Sequence, residues 1–254
     1  MSAWQSGVVF AAAFVAGVVN AIAGGGTLIS FPTLLWLGRN PVLANATNTV
    51  GIWPASFLAM VGFRKEVARS RAWIVLLVGP ALLGGILGAV LLLHTPTSTF
   101  KAIVPWLIFG ATVLLGVQEP LSRRLGRGEV ERPSGRWRLF ALAFQFVVGV
   151  YGGYFGAGIG ILMLAALGLL GLRDLHQMNG VKNLLALCIN GVAAIWFVAT
   201  GSVLWRDVLL LAVGSGLGGW AGAGLALRVG RRTVRVIVIG VGLAMTVALA
   251  VRLR

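Results

Sequence analysis

Eight apolar runs, at 7–37, 42–62, 72–93, 101–117, 138–171, 178–200, 206–227 and 233–251, fill most of this 254-residue chain, and short basic stretches separate them. A helix of about 20 apolar residues crosses a hydrocarbon core about 30 Å thick. Only 11% of the residues are charged and 58% are hydrophobic, whereas a soluble domain carries about 25% charge. Such a chain cannot cover itself with polar surface. The alternating strands of a membrane barrel are missing from the pattern. The sequence therefore predicts an all-α polytopic membrane protein.

The formal net charge is +15. In a soluble protein that would suggest a nucleic-acid partner. Here the arginines lie between apolar runs, so the positive-inside rule accounts for them and the expected partner is membrane lipid, with no nucleic acid. Cys188 is the only cysteine, so no internal disulfide can form. The opening "MSAWQSGVVFAAAF" lacks a basic leader and reads as a retained first span.

The first run of each half is too long for one span and carries a glycine break near its middle. Each is read as two short helices, either two tilted passes or a re-entrant hairpin. That makes five segments per half. With the N-terminus outside, Arg64, Lys65, Arg69, Arg71, the arginines of 118–138, Arg173, Arg228, Arg231, Arg232 and Arg235 then share the cytoplasmic side. Arg39, Lys101, Arg206, Arg252 and Arg254 face out. Counting each long run as one crossing weakens this bias, so the broken version is preferred.

The chain also aligns with itself. "FVAGVVNAIAGGG" (14–26) matches "FVVGVYGGYFGAG" (146–158) at 6 of 13 positions, and "GGILGAVL" (84–91) matches "GGWAGAGL" (218–225) at 5 of 8. The offsets are 132 and 134, and the order is kept. This divides the chain into a first transmembrane repeat (1–117), a basic cytoplasmic linker (118–138) and a second repeat (139–254). An odd number of segments inverts the second repeat relative to the first. Inverted repeats typify secondary transporters, whose sites lie near the midplane at discontinuous helices.

Three glycines in "NAIAGGGTLISFP" should unwind the first run, since glycine disfavours helix by about 1 kcal/mol against alanine. Backbone freed inside a membrane survives only in a protein interior or beside a cavity. A helix restarting after such a break points amides and a positive dipole end outward, which suits an anion. Asn20, Gly24, Gly25, Gly26 and Thr27 are candidates at the first break, and Gly156, Gly158 and Gly160 at the second. Close helix packing through glycine is the alternative.

Polar residues recur just downstream. "NATNT" (45–49) supplies Asn45, Thr47, Asn48 and Thr49; Asn45 could simply cap a helix, but Asn48 then needs another reason. The matching "NGVKNLLALCIN" (179–190) supplies Asn179, Lys182, Asn183 and Asn190 at spacings that can share one face. Lys182 should lie a turn inside the membrane, where a charge defaults to function; snorkelling to the interface is the alternative. Glu66, Glu119, Glu129, Glu131, Asp174 and Asp207 all fall in expected loops. Amides, hydroxyls, helix N-termini and one ammonium suit an anion rather than a cation or a carboxylate proton relay.

His94 and His176 lie on opposite expected sides and cannot share a metal, and no cofactor motif or nucleophile–base–orienter set stands out, so an enzyme is not expected. The pairs Gly84/Gly88 and Gly218/Gly222 could mark a homodimer face or packing within the monomer. Trp4, Trp73, Trp106, Trp137 and Trp205 near run ends suit interface belts.

"GVVNAIAGGGTLISFP", "NATNTVGIWPASF" followed by "GFRKEV", and "GVKNLLALCINGVAAIWFVATGSVLW" together resemble the sulfite exporter TauE/SafE family, over about residues 8–251. The resemblance implies a permease of the bacterial cytoplasmic (inner) membrane, linked to export of sulfite or organosulfonates such as sulfoacetate. The second break departs from the first, reading "GAGIGILML" where the first has "GGGTLISFP". The resulting expectation is a secondary transporter moving a small anion by alternating access. An anion channel and a membrane assembly scaffold are the alternatives.

Overall fold

The computed structural model describes residues 2–22, 25–61, 64–125, 135–169, 172, 174–229 and 231–252. They form eleven helices and, among the described residues, no strand: α1 (Ala3–Ile22), α2 (Thr27–Trp36), α3 (Pro41–Val61), α4 (Arg64–Arg69), α5 (Arg71–His94), α6 (Thr97–Leu125), α7 (Gly135–Tyr154), α8 (Ile159–Leu169), α9 (Leu175–Ala199), α10 (Trp205–Val229) and α11 (Arg231–Arg252). Within those residues Ala3–Asn20, Arg71–His94, Thr97–Val117 and Gln177–Ala199 are long and apolar enough to cross a membrane. The outer surface is apolar as well, with Val75, Trp106, Val147, Ile195, Leu209 and Trp220 exposed. A soluble protein rarely shows so much contiguous apolar surface. The chain is an all-α, multi-pass membrane protein.

Both long runs break where expected, but unevenly. α1 and α7 have 20 residues each, about 30 Å of helix, so they are not the short members foreseen. Only α2 and α8 are short, at 10 and 11 residues. The glycines interrupt late because the apolar run before them already spans the core. Within the 118–138 segment, α6 continues to Leu125 and α7 begins at Gly135.

α2 doubles back along α1. Gly26 lies against Ala16 and Asn20 of α1, and Trp36 at the far end of α2 meets Trp4 edge-on, with ring centroids 6.2 Å apart. The start of α1 and the end of α2 therefore share one end of the bundle. Arg39 bonds Asp207 at 2.8 Å there. Thr47 Oγ1 accepts from the Leu204 amide at 3.0 Å, and Tyr154 donates its hydroxyl to Thr95 at 3.2 Å. The opposite end holds α4, where Glu66 sits over Gly180 near the start of α9.

The heaviest packing joins α1 to α10 and α5 to α7. In the first pair Gly214 lies on Phe10 and Ala13, Gly218 on Phe14, and Gly17 on Ser215 and Gly219. In the second, Gly84 lies on Phe146 and Gly149, and Gly88 on Val150 and Tyr154. Contacts advance in step along both helices, so each pair runs parallel. Glycine is required at these crossings because a Cβ on Gly84, Gly88 or Gly218 would strike the partner's backbone. The surfaces read as a choice between dimer and monomer packing are thus used inside the chain at Gly84, Gly88 and Gly218; the side of Gly222 lies outside the described residues.

Two apolar clusters fill the bundle. One centres on Leu28, Phe31, Leu34, Phe100, Ile108, Phe155 and Phe197; the other on Leu77, Met163, Leu167, Met178, Val181 and Leu185.

Candidate functional site

The break between α1 and α2 turns at Gly25, whose φ of +91° is a conformation L side chains rarely adopt. The amides of Leu28, Ile29 and Ser30 bond the carbonyls of Gly25 and Gly26, so they belong to the first turn of α2. The helix restarts at Thr27. The break between α7 and α8 is built differently. Gly156 and Gly158 take φ values of +79° and +78°. Tyr151 holds this turn twice: its carbonyl accepts from the Phe155 and Gly156 amides, and its hydroxyl donates to the Ala157 carbonyl at 2.8 Å.

The two breaks approach each other. Phe31 of α2 packs edge-on against Phe155, with centroids 5.5 Å apart. Both also lean on α6, Gly25 on Leu115 and Gly158 on Ala111. Beside this contact lies a small open pocket, with a cavity volume of about 30 Å³, lined by Thr27, Asn48, Thr49, Ile52, Trp53, Ser56, Phe155, Gly156 and Asn190. Its walls thus come from the start of α2, two turns of α3, the second break and α9. No charged side chain is among these lining residues. A concave site with a few convergent polar groups is the form small-molecule sites take.

Three of the expected site residues meet here: Thr27, Asn48 and Gly156. Asn48 is 2% exposed and its Oδ1 has no hydrogen-bond partner. A buried acceptor left unpaired costs about 1–3 kcal/mol. Asn190, placed on the polar face of α9 by spacing, joins them. Thr49, Ile52, Trp53, Ser56 and Phe155 were not singled out as site residues. One signal would have found Ser56: at the offset of 134 it is the counterpart of Asn190.

The other expected residues have different surroundings. Asn45 is buried and donates Nδ2 to the Tyr154 carbonyl at 2.9 Å. It ties α3 to α7 rather than capping its own helix, whose cap is Asn40, with Oδ1 accepting from the Val42 amide at 3.0 Å. Thr47 is bonded to Leu204, as above. Gly26 packs on α1 beside Asn20, which is the close-packing role. Gly24 lies outside the described residues. Asn183 is half-buried and does not line the pocket.

Lys182 does not line the pocket either. Its stem lies on Gly160, at 3.2 Å from where a Cβ would stand, and Nζ donates to Asn179 Oδ1 at 2.9 Å. It precedes Asn190 by eight residues, about 12 Å along the helix, toward the end that carries α4. Asp207, expected in a loop, sits instead in the first turn of α10, buried and paired with Arg39. An acidic residue at a helix N-terminus complements the dipole, and this explains why it can start α10.

Comparison with known proteins agrees with this architecture. A protein of Haemophilus influenzae described as a probable membrane transporter is 31% identical over 248 residues, covering 94% of this chain and 92% of the relative. Escherichia coli YfcA, likewise described as a probable membrane transporter, is 28% identical over 247 residues, covering 96% and 88%. The probable membrane transporter ORF9 of a Sinorhizobium species is 28% identical over 243 residues, covering 94% and 90%. No solved structure matches the chain. The family description "Sulfite exporter TauE/SafE" fits residues 9–249, and the chain belongs to that family of membrane transporters.

Proposed function

We propose that this transporter carries a small anion, sulfite or an organosulfonate, outward across the bacterial cytoplasmic membrane. The observation that carries the reading is the pocket where the start of α2, the turn of the second break, Asn48 and Asn190 converge. Because the amides of Leu28 to Ser30 are already bonded, the anion falls to Thr27 at the start of α2, with Asn48 and Asn190 fixing its orientation. A helix N-terminus favours negative charge through its dipole. Asn20, Asn45 and Thr47 hold the frame around the site. Lys182, with Asn179 and Asn183 beside it, attracts the anion along the approach from the α4 end.

Alternating access is the proposed mechanism. α1 and α7 are counterparts, yet α1 runs parallel to α10, and α7 runs parallel to α5, the counterpart of α10. This exchange of partners supports two inverted repeats meeting at the pocket, so that rocking one against the other exposes it to either side. The arginines and lysine of α4 and of the 118–138 segment support placing that end in the cytoplasm.

Purified protein in proteoliposomes loaded with unlabelled sulfite should drive uptake of labelled sulfite, with a rate that saturates. Linear, unsaturable flux would identify a channel. No flux and no binding of sulfite or any small sulfonate would end the anion reading and leave a scaffold.

A further inference from the structure

Resting on the reading of the pocket as the anion site, the charge compensation that its wall can supply narrows the substrate class. Every polar side chain of the described lining is neutral: the hydroxyls of Thr27, Thr49 and Ser56, the amides of Asn48 and Asn190, and the indole of Trp53. Thr49, Ser56 and Trp53 donate to the carbonyls of Asn45, Ile52 and Leu187. Thr27, Asn48 and Asn190 keep donors for a bound ligand, and Asn48 is 2% exposed. The start of α2 adds a dipole end, equivalent to about half a positive charge.

The charged side chains nearest along the fold lie elsewhere. Lys182 donates Nζ to Asn179 at 2.9 Å and stands about 12 Å along α9 from Asn190. Glu66 sits over Gly180, farther toward the same end. Arg39 and Asp207 pair at 2.8 Å toward the other end. Taking an ion out of water costs in proportion to the square of its charge, while fixed dipoles stabilise it in proportion to the charge itself. A second charge therefore raises the cost about fourfold and the stabilisation only about twofold. A neutral wall with one dipole end offsets the first charge and not the second. We infer that the pocket takes singly charged oxyanions, hydrogensulfite or a sulfonate with no second ionised group, and discriminates against doubly charged ones. No covalent step is involved.

The test compares sulfate with perchlorate and methanesulfonate, three tetrahedral anions of equal heavy-atom count. Sulfate carries two charges and the others one. Perchlorate matches sulfate oxygen for oxygen, so it separates charge from any contact made by the methyl of methanesulfonate. Dissociation constants are measured on the purified full-length protein at one neutral pH and one ionic strength. Both monoanions should bind at least about tenfold more tightly than sulfate. Asn190→Lys should narrow that gap to under about threefold by strengthening sulfate, because an ammonium supplies the missing charge. Where thermal unfolding shows that variant to be unfolded, Ser56→Lys places the charge on the α3 wall instead. Sulfate bound as tightly as perchlorate by the wild type, or a gap untouched in the folded lysine variants, overturns this inference and leaves the anion site standing. Failure of all three anions and of sulfite to bind overturns the anion site itself.

Discussion

At the first break Gly25 takes a positive φ, the only one among the described residues there, and Thr27 carries the chain straight into α2 and into the pocket wall. At the second, Gly156 and Gly158 both do so, Tyr151 pins the turn, and α8 resumes at Ile159. The segments behind them differ in the same way. Asn45 and Asn48 correspond to Asn179 and Lys182, so a neutral amide stands in the pocket where the other half has an ammonium outside it. The packing surfaces, in contrast, are alike: α1 meets α10 and α5 meets α7 through glycines used in the same manner. On the proposed repeat, the packing frame is kept while the lining has diverged.

The largest effect expected concerns an ion pair whose acid has no acidic counterpart. Arg39 and Asp207 join the end of α2 to the start of α10; at the offset of 134 Asp207 aligns with Trp73, which is apolar. Arg39→Met strands the buried carboxylate and should lower stability by about 3 kcal/mol. Arg39→Met with Asp207→Leu should recover most of it. Thermal unfolding in detergent reads both, and a double variant no more stable than the single one would show that the pair does not act as a unit.

Next come the duplicated crossings. Gly88→Ala and Gly218→Ala each push a methyl into partner backbone, and each should cost about 1–3 kcal/mol. The two costs should be similar. A loss confined to one of them would break the claim that the frame is shared.

The diverged lining should separate by kinetics. Asn48→Ala should weaken sulfite binding about tenfold at any ionic strength, since a buried hydrogen-bonding group is lost. Lys182→Ala should raise the KM for uptake a few-fold, more at low salt than at high, as expected of a charge acting over distance. Unchanged transport by Lys182→Ala would remove its proposed role.

Much of this was legible in the sequence because it rests on local rules. Apolar length marked the spans, and glycine clusters marked the breaks. The pocket was half legible: Thr27, Asn48 and Gly156 stood out as polar or flexible residues in apolar surroundings. Trp53 and Ser56 did not, because hydroxyls and indoles are common in membrane helices and only the folded arrangement turns them inward. The Arg39–Asp207 pair joins residues 168 apart, and no local pattern predicts such a partner. Gln145 was hidden in the longest apolar run; it is fully buried, with both amide atoms unpartnered.

The smallest effect sharpens the comparison most finely, since it concerns the last glycine of each break. A Cβ on Gly26 would meet the backbone carbonyl of Ala16, while one on Gly160 would meet only the Lys182 stem, at 3.2 Å from Cδ. Backbone in a packed helix cannot yield, whereas a lysine stem can move a few tenths of an ångström. Gly160 also lies within α8, where alanine favours the helix by about 1 kcal/mol. Gly26→Ala should therefore destabilise the protein by about 1–3 kcal/mol, while Gly160→Ala leaves the unfolding temperature unchanged or slightly raised. What Gly160→Ala should alter is the setting of the ammonium, and so the KM for sulfite by about twofold through a weak, screened charge. A drop in stability from Gly160→Ala as large as that from Gly26→Ala would mean that both breaks are tight packing joints and that the lysine has no latitude above the second.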